Sequence, residues 1–132
     1  MILIDTHVLL WWTTGQSYRV SEAASGLFES ARAVAAVKVS AMTMWEVALL
    51  DSQNRITLEE GFAAWRSRVE AMMFLHFIPI DNRIAVEANR LPEPFHRDPA
   101  DRLIVATARL LDMPLLTADT KILDYPFVKT IW

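Results

Sequence analysis

Short apolar runs, each too brief to make a helix, alternate along this chain with longer segments of helical periodicity. Met1 to Ile4, Val34 to Val39, Phe77 to Ile80, Leu115–Leu116 and Phe127 to Ile131 read as strands. Between them lie helical patterns. Thr6 to Trp12 follows the first run, Ser21 opens a helix to about Ala31, and Ser40 leads into Thr43 to Ser52. Thr57 is expected to cap a helix carrying Phe62, Trp65, Val69 and Met72 at three- to four-residue spacing, and Asp81 the helix that follows. Pro99 to Asp112 reads as the next helix, and Asp119 starts a last helical turn. Strands alternating with helices imply an α/β fold: a central, mainly parallel sheet of about four to five strands with helices on both faces. No repeat or linker interrupts the pattern, so residues 1–132 are expected to form one domain.

Four acids break this apolar fabric. Asp5 ends the first strand and Asp119 closely follows the fourth, and in open parallel sheets the ligand site lies beyond the carboxyl ends of the strands. Glu46 is the only charge between Val39 and Leu50. Asp101 falls on the third helical residue of its segment, in line with Ile104, Val105 and Ala108, so it points inward at a helix mouth. Each has a plainer reading as well. Asp5 and Asp119 would serve as helix N-caps, Thr43 and Glu46 fit a capping box, and Asp101 suits the positive end of a helix. Asp98 differs from these: followed by Pro99, it has the pattern of an N-cap with proline at the first helical position, which gives it a supporting role. No feature of the fold asks for all four acids at once. Four carboxylates converging out of water would repel one another and demand a cation.

The composition narrows the chemistry. There is no Cys and no His cluster, so oxygen donors would select a hard cation such as Mg²⁺ or Mn²⁺. The absence of Cys also fits a cytoplasmic protein. The MILID start lacks the basic flank of a signal peptide, and no apolar stretch is long enough to span a membrane. A net charge of −3 excludes a broad basic footprint for nucleic acid, so any such contact must be local. Hydrophobic residues make up 53% of the chain, five of them Trp, and that excess points to an oligomer or an obligate partner.

The segments LIDTHVLLW, SAMTMWEV, HRDPADRLIVATA and LLTADTKI, in that order, resemble the successive motifs of PIN-domain ribonucleases, and of the VapC-type toxins of toxin–antitoxin pairs in particular. The resemblance covers nearly the whole chain. It implies a parallel sheet flanked by helices and one or two Mg²⁺ or Mn²⁺ ions held by Asp5, Glu46, Asp101 and Asp119. Thr6 and Thr120 match hydroxyl positions beside the first and last acids. It further implies an RNA substrate, a homodimer, and a VapB-type antitoxin docking in an apolar groove, expected beside the first helix and the Phe62/Trp65 helix. Two departures stand out. His7 occupies a position where many relatives carry Asn, and either serves the site or packs there. No Lys lies a turn beyond Glu46, which leaves Arg97, Arg102 and Lys121 as candidate substrate contacts, each also readable as a solvated surface charge.

The expected reaction is hydrolysis of RNA phosphodiesters by an activated water, without a covalent intermediate. Haloacid-dehalogenase-like phosphatases would need Asp-x-Asp after the first strand, where Asp5-Thr6-His7 stands, and receiver domains an adjacent acid pair. A PIN-fold module kept only for binding or dimerisation would be favoured had one acid been lost, and all four are present.

Overall fold

The computed structural model describes residues 1–132. Five parallel strands form one sheet in the order β3-β2-β1-β4-β5. They are β1 (Ile2–Ile4), β2 (Val37–Ser40), β3 (Leu75–Ile78), β4 (Leu115–Leu116) and β5 (Thr130–Ile131). Seven helices connect them: α1 (Thr6–Thr13), α2 (Glu22–Ala33), α3 (Ala41–Ser52), α4 (Phe62–Glu70), α5 (Asn82–Ala88), α6 (Pro99–Leu110) and α7 (Thr120–Leu123). Strands progress outward from β1 through β2 to β3, and the chain then returns to lay β4 against the other side of β1. The direction of winding reverses between β1 and β4, and such a switch opens a crevice at the carboxyl ends of the two strands.

Alternation along β1 splits the core in two. Ile2 and Ile4 face one layer, with Val37, Val39, Leu75 and Leu116 beneath α1, α2 and α4. Leu3 and Leu115 face the other, packed with Ile84, Ile104, Val105, Ala108 and Ile122 from α5, α6 and α7. The α6 segment shows why the helical period matters: Ile104, Val105 and Ala108 are all buried, and Asp101 sits one turn earlier on the same stripe. Caps fix where the helices begin. Ser21, Ser40, Asp81, Asp98 and Asp119 each accept a hydrogen bond from a first-turn amide.

Several sequence expectations shift. β3 ends at Ile78 because Pro79 cannot donate to a ladder. β2 starts three residues late, behind a turn in which Ala35 takes a φ of 53°. Thr57 does not cap α4. Glu59 and Glu60 form a turn, and Gly61, at a φ of 83°, occupies the N-cap position, a conformation that favours glycine. Trp65 is fully buried and its indole Nε1 donates to Thr13 Oγ1 at 3.0 Å, tying α4 to α1. Trp65 is therefore core, not groove wall. The apolar groove that does flank α1, of about 390 Å³, is walled on its other side by α2, with Val8, Trp12, Val20 and Phe28 among its lining.

Trp65→Ala should cost about 3–5 kcal/mol of unfolding free energy, measured by urea denaturation, since it empties a closed site and removes the indole bond to Thr13.

Candidate active site

Asp5 leaves the end of β1 only 4% exposed. Its Oδ1 accepts the Thr6 amide at 2.8 Å and its Oδ2 accepts the Thr117 hydroxyl at 2.7 Å. The first bond is a helix cap and the second crosses to the segment after β4, so the N-cap reading of Asp5 is correct but incomplete. Thr117 Oγ1 in turn accepts the Asp119 amide at 3.0 Å. One buried hydroxyl thus orders the first acid and the backbone of the last.

Glu46 is brought in by α3. Ser40 caps that helix, so Thr43 lies inside it and the capping-box reading fails. Thr6 Oγ1 donates to Glu46 Oε1 at 2.6 Å and lies 3.0 Å from the buried Thr43 hydroxyl. The carboxylate faces the end of β1 rather than its own helix start. Burial holds the Glu46 carboxyl above the usual carboxylate range despite the Thr6 bond, with the charges of Asp5 and Asp98 adding to the effect.

Asp101 projects from the first turn of α6, and Asp98, as expected, caps that helix through the amides of Ala100 and Asp101 with Pro99 behind it. The Asp101 carboxyl is pushed up to about 7, first by burial and then by the charges of Asp5, Asp98, Asp119 and Glu46. Asp119 caps α7 through the Lys121 amide and faces the same cluster. Asp5, Glu46 and Asp119 thus all lie close enough to Asp101 for their charges to bear on it, which gathers the four sequence-selected acids at the β1/β4 crevice.

The supporting residues divide. Thr6 is part of the network, whereas Thr120 is exposed and no hydrogen bond of its hydroxyl ties it to the acids. His7 Nε2 accepts the Ala118 amide at 2.8 Å, which assigns the proton to Nδ1, 3.7 Å from Asp5 Oδ2. Burial holds the His7 imidazole below its usual range, so it stays neutral and anchors the loop carrying Asp119. Arg102 is no substrate contact: its guanidinium donates to the carbonyls of Ala88, Phe95 and His96 and clamps the loop before α6. Arg97 and Lys121 are exposed and make no ion pair. Sequence reasoning read Thr43 only as a cap and missed its contact with Thr6, and it passed over His96 and the link from Thr117 to Asp5. His96 Nε2 lies 3.1 Å from Asp101 Oδ2, yet out of line for a hydrogen bond, so this buried nitrogen has no partner.

The donor set suits a hard divalent cation: carboxylate and hydroxyl oxygens dominate it, with the His7 and His96 imidazoles at its edge, and burial and neighbouring charge together raise Asp101. No three acidic or His side chains close into a ready cage. A cation that keeps several of its waters does not need such a cage, since some carboxylates can act through those waters.

Comparison with known proteins agrees with this geometry. The sequence model of the PIN domain matches residues 2–128. Ribonuclease VapC22 of Mycobacterium tuberculosis is 35% identical over 99% of this chain and 98% of its own length. Among solved structures, FitAcB from Neisseria gonorrhoeae superposes with a TM-score of 0.72 at 21% identity, covering 100% of this chain and 97% of that one. VapBC2 from Rickettsia felis, bound to a DNA fragment from its promoter, gives 0.67 at 14% identity over 99% and 98% of the two chains. A five-stranded parallel sheet with acids gathered at its switch point, matched end to end by these relatives, makes this chain a PIN-domain protein of the VapC type.

Proposed function

We propose that the chain is a divalent-metal-dependent endoribonuclease and the toxin of a toxin–antitoxin pair, with Asp5, Glu46, Asp101 and Asp119 as the residues that hold Mg²⁺ or Mn²⁺. The observation that carries this reading is geometric: acids from four separate elements meet at the carboxyl ends of β1 and β4, with Asp101 buried within reach of the charges of Asp5, Asp98, Asp119 and Glu46. A bound cation would relieve that crowding. The ribonuclease named for the Mycobacterium tuberculosis relative supports the substrate class.

When bound, the metal supplies a water of lowered pKa and neutralises charge building on the scissile phosphate. The chain's own residues do the rest. Thr117 and the Thr6 amide hold Asp5 in one orientation. Thr6, braced by Thr43, holds Glu46. His7 keeps the Asp119 loop against α1. Asp101, its carboxyl raised by burial and by the neighbouring acids, would release its proton to solvent in order to serve as a ligand.

The partners follow from surface chemistry. No helix is long and apolar enough to cross a membrane. Trp45 and Leu49, 55% and 37% exposed and one turn apart on α3, leave an apolar stripe suited to a second copy of the chain. The groove between α1 and α2 suits an amphipathic segment of a VapB-type antitoxin. Structural neighbours that are toxin–antitoxin complexes support that partnership. A ribonuclease acting on cellular RNA would work in the cytoplasm, and a chain without Cys is compatible with that compartment.

Cleavage of single-stranded RNA should require Mg²⁺ or Mn²⁺, stop with EDTA, and fall more than about 100-fold in Asp5→Asn with the far-UV spectrum unchanged. Full activity of Asp5→Asn, or activity in EDTA, would reject the assignment. Thr117→Val should lower activity by about 10- to 100-fold through the orientation of Asp5 and Asp119, with a matching loss of metal affinity in a Mn²⁺ titration.

A pH test follows from Asp101, whose carboxyl is pushed up to about 7. From its ordinary 3.8 up to that value, the folded metal-free protein keeps a proton that the unfolded chain releases. That residue's contribution to stability therefore falls as pH rises through the window and stays low above it. In EDTA, Asp101→Asn should melt at a higher temperature than the wild type at pH 8 and show a smaller difference at pH 4.5. Added Mg²⁺ should raise the wild-type Tm more at pH 8 than at pH 5.

A further inference from the structure

Beside the acid cluster, away from α1, lies a second cavity of about 440 Å³ that the proposed chemistry does not use. Its wall is aromatic. His96 and Phe95 have ring centroids 4.4 Å apart, Phe95 and Tyr125 another 4.4 Å, and Tyr125 and Phe127 5.5 Å. The inner rings are fixed. Phe95 and Tyr125 are buried, Tyr125 Oη donates to the Pro92 carbonyl, and Arg102 clamps the carbonyls of Phe95 and His96. The outer ring, Phe127, is 45% exposed. Lys121 is the only ammonium lining the cavity, with no ion-pair partner of its own. Asp124 also lines it and likewise makes no ion pair.

Two contacts tie the wall of the cavity to the acid site. His96, in its wall, has Nε2 3.1 Å from Asp101 Oδ2. Lys121 follows Asp119 by two residues, and its amide donates to the Asp119 carboxylate at 2.9 Å. A chain of net charge −3 whose active site is a nest of acids needs some local means of holding a polyanion. The exposed Phe127 ring, held in place by the buried Tyr125 and Phe95 behind it and with one ammonium beside it, meets that need: bases stack on aromatic faces whatever their sequence, and the ammonium pairs with backbone phosphate.

We infer that the cavity walled by Phe95, His96, Tyr125 and Phe127 is a nucleobase subsite. It takes one unpaired base next to the scissile phosphate, with Lys121 on the adjoining phosphate and Asp124 placed to accept from a base amino group. It rests on the ribonuclease reading and deepens it. It also gives an acidic nuclease a reason to prefer loops and single strands, since a base held in a duplex cannot enter the cavity.

The test uses the full-length protein and a short single-stranded RNA whose cut position is mapped first. The RNA is made intact and with an abasic residue at each nucleotide flanking the cut. Cleavage is followed with Mg²⁺, and binding by fluorescence anisotropy with Ca²⁺ in its place. One abasic position should raise the wild-type Kd and KM about tenfold, with kcat within about twofold. Phe127→Leu, which keeps an apolar side chain but no ring face, should show the same loss on intact RNA and no further loss on abasic RNA. Phe127→Trp should restore the difference. Lys121→Ala should weaken all RNAs alike and lower the salt slope of binding by about one. A wild type that binds and cuts intact and abasic RNA equally, or a Phe127→Leu variant that still discriminates between them, overturns the subsite and leaves the nuclease intact. Failure of the wild type to cut any RNA overturns the nuclease reading, and the binding arm still decides the cavity. Unchanged RNA binding in both variants would hand the cavity to a protein partner and reject the proposal.

Discussion

The carboxyl end of the central strand must bury a negative charge, and the rest of the site is arranged around that requirement. Asp5 is nearly inaccessible at the point where the sheet's winding reverses. An uncompensated carboxylate there would be costly. Its two oxygens are satisfied by donors from opposite ends of the chain, the Thr6 amide and the Thr117 hydroxyl. Because Thr117 also accepts the Asp119 amide, the bond that makes Asp5 tolerable delivers the last acid to the first. Removing that hydroxyl would loosen two acids rather than one, and would leave a buried charge short of a donor.

The same economy recurs around the crevice. Each acid reaches the site from a separate element: Asp5 from β1, Glu46 from α3, Asp101 from α6 and Asp119 from the turn into α7. Each is oriented by a group that also does structural work. Thr6 opens α1 and holds Glu46, His7 pins Ala118, Asp98 caps the helix that carries Asp101, and Arg102 clamps the loop that brings His96 against Asp101. None of these supports carries a full positive charge into the cluster. The Asp101 carboxyl is accordingly raised, first by its burial and then by the charges of the acids around it. In the reading proposed above, the aromatic cavity beside His96 extends this logic outward, with an exposed ring and a single ammonium next to the acids to take one base and its phosphate.

Fold class and the acids were legible in the sequence because both are written in local patterns. Alternating apolar runs and helical periods gave a parallel sheet with helices on both faces, and Asp-Pro gave the start of α6. The errors fell where local pattern and tertiary demand diverge. Thr57 looks like a cap, but the turn at Glu59–Glu60 ending in Gly61 moves the start of α4. Trp65 looks like a docking face because amphipathic spacing does not say what covers it, and here Thr13 and the sheet do. Arg102 looks like a free cation, yet three carbonyls gathered by folding claim its guanidinium.

By itself the sequence determined the order of elements, the inward stripe of each helix, and which carboxylates interrupt apolar segments, since these depend on residues a few positions apart. Only the tertiary structure decided which hydroxyls serve which acids, that the His7 ring is committed to a backbone amide, and that His96 stands against Asp101. Those pairings join residues as far apart as Asp5 and Thr117, and no local spacing encodes them. They come from strand order, because inserting β1 between β2 and β4 is what turns separate stretches of chain into neighbours.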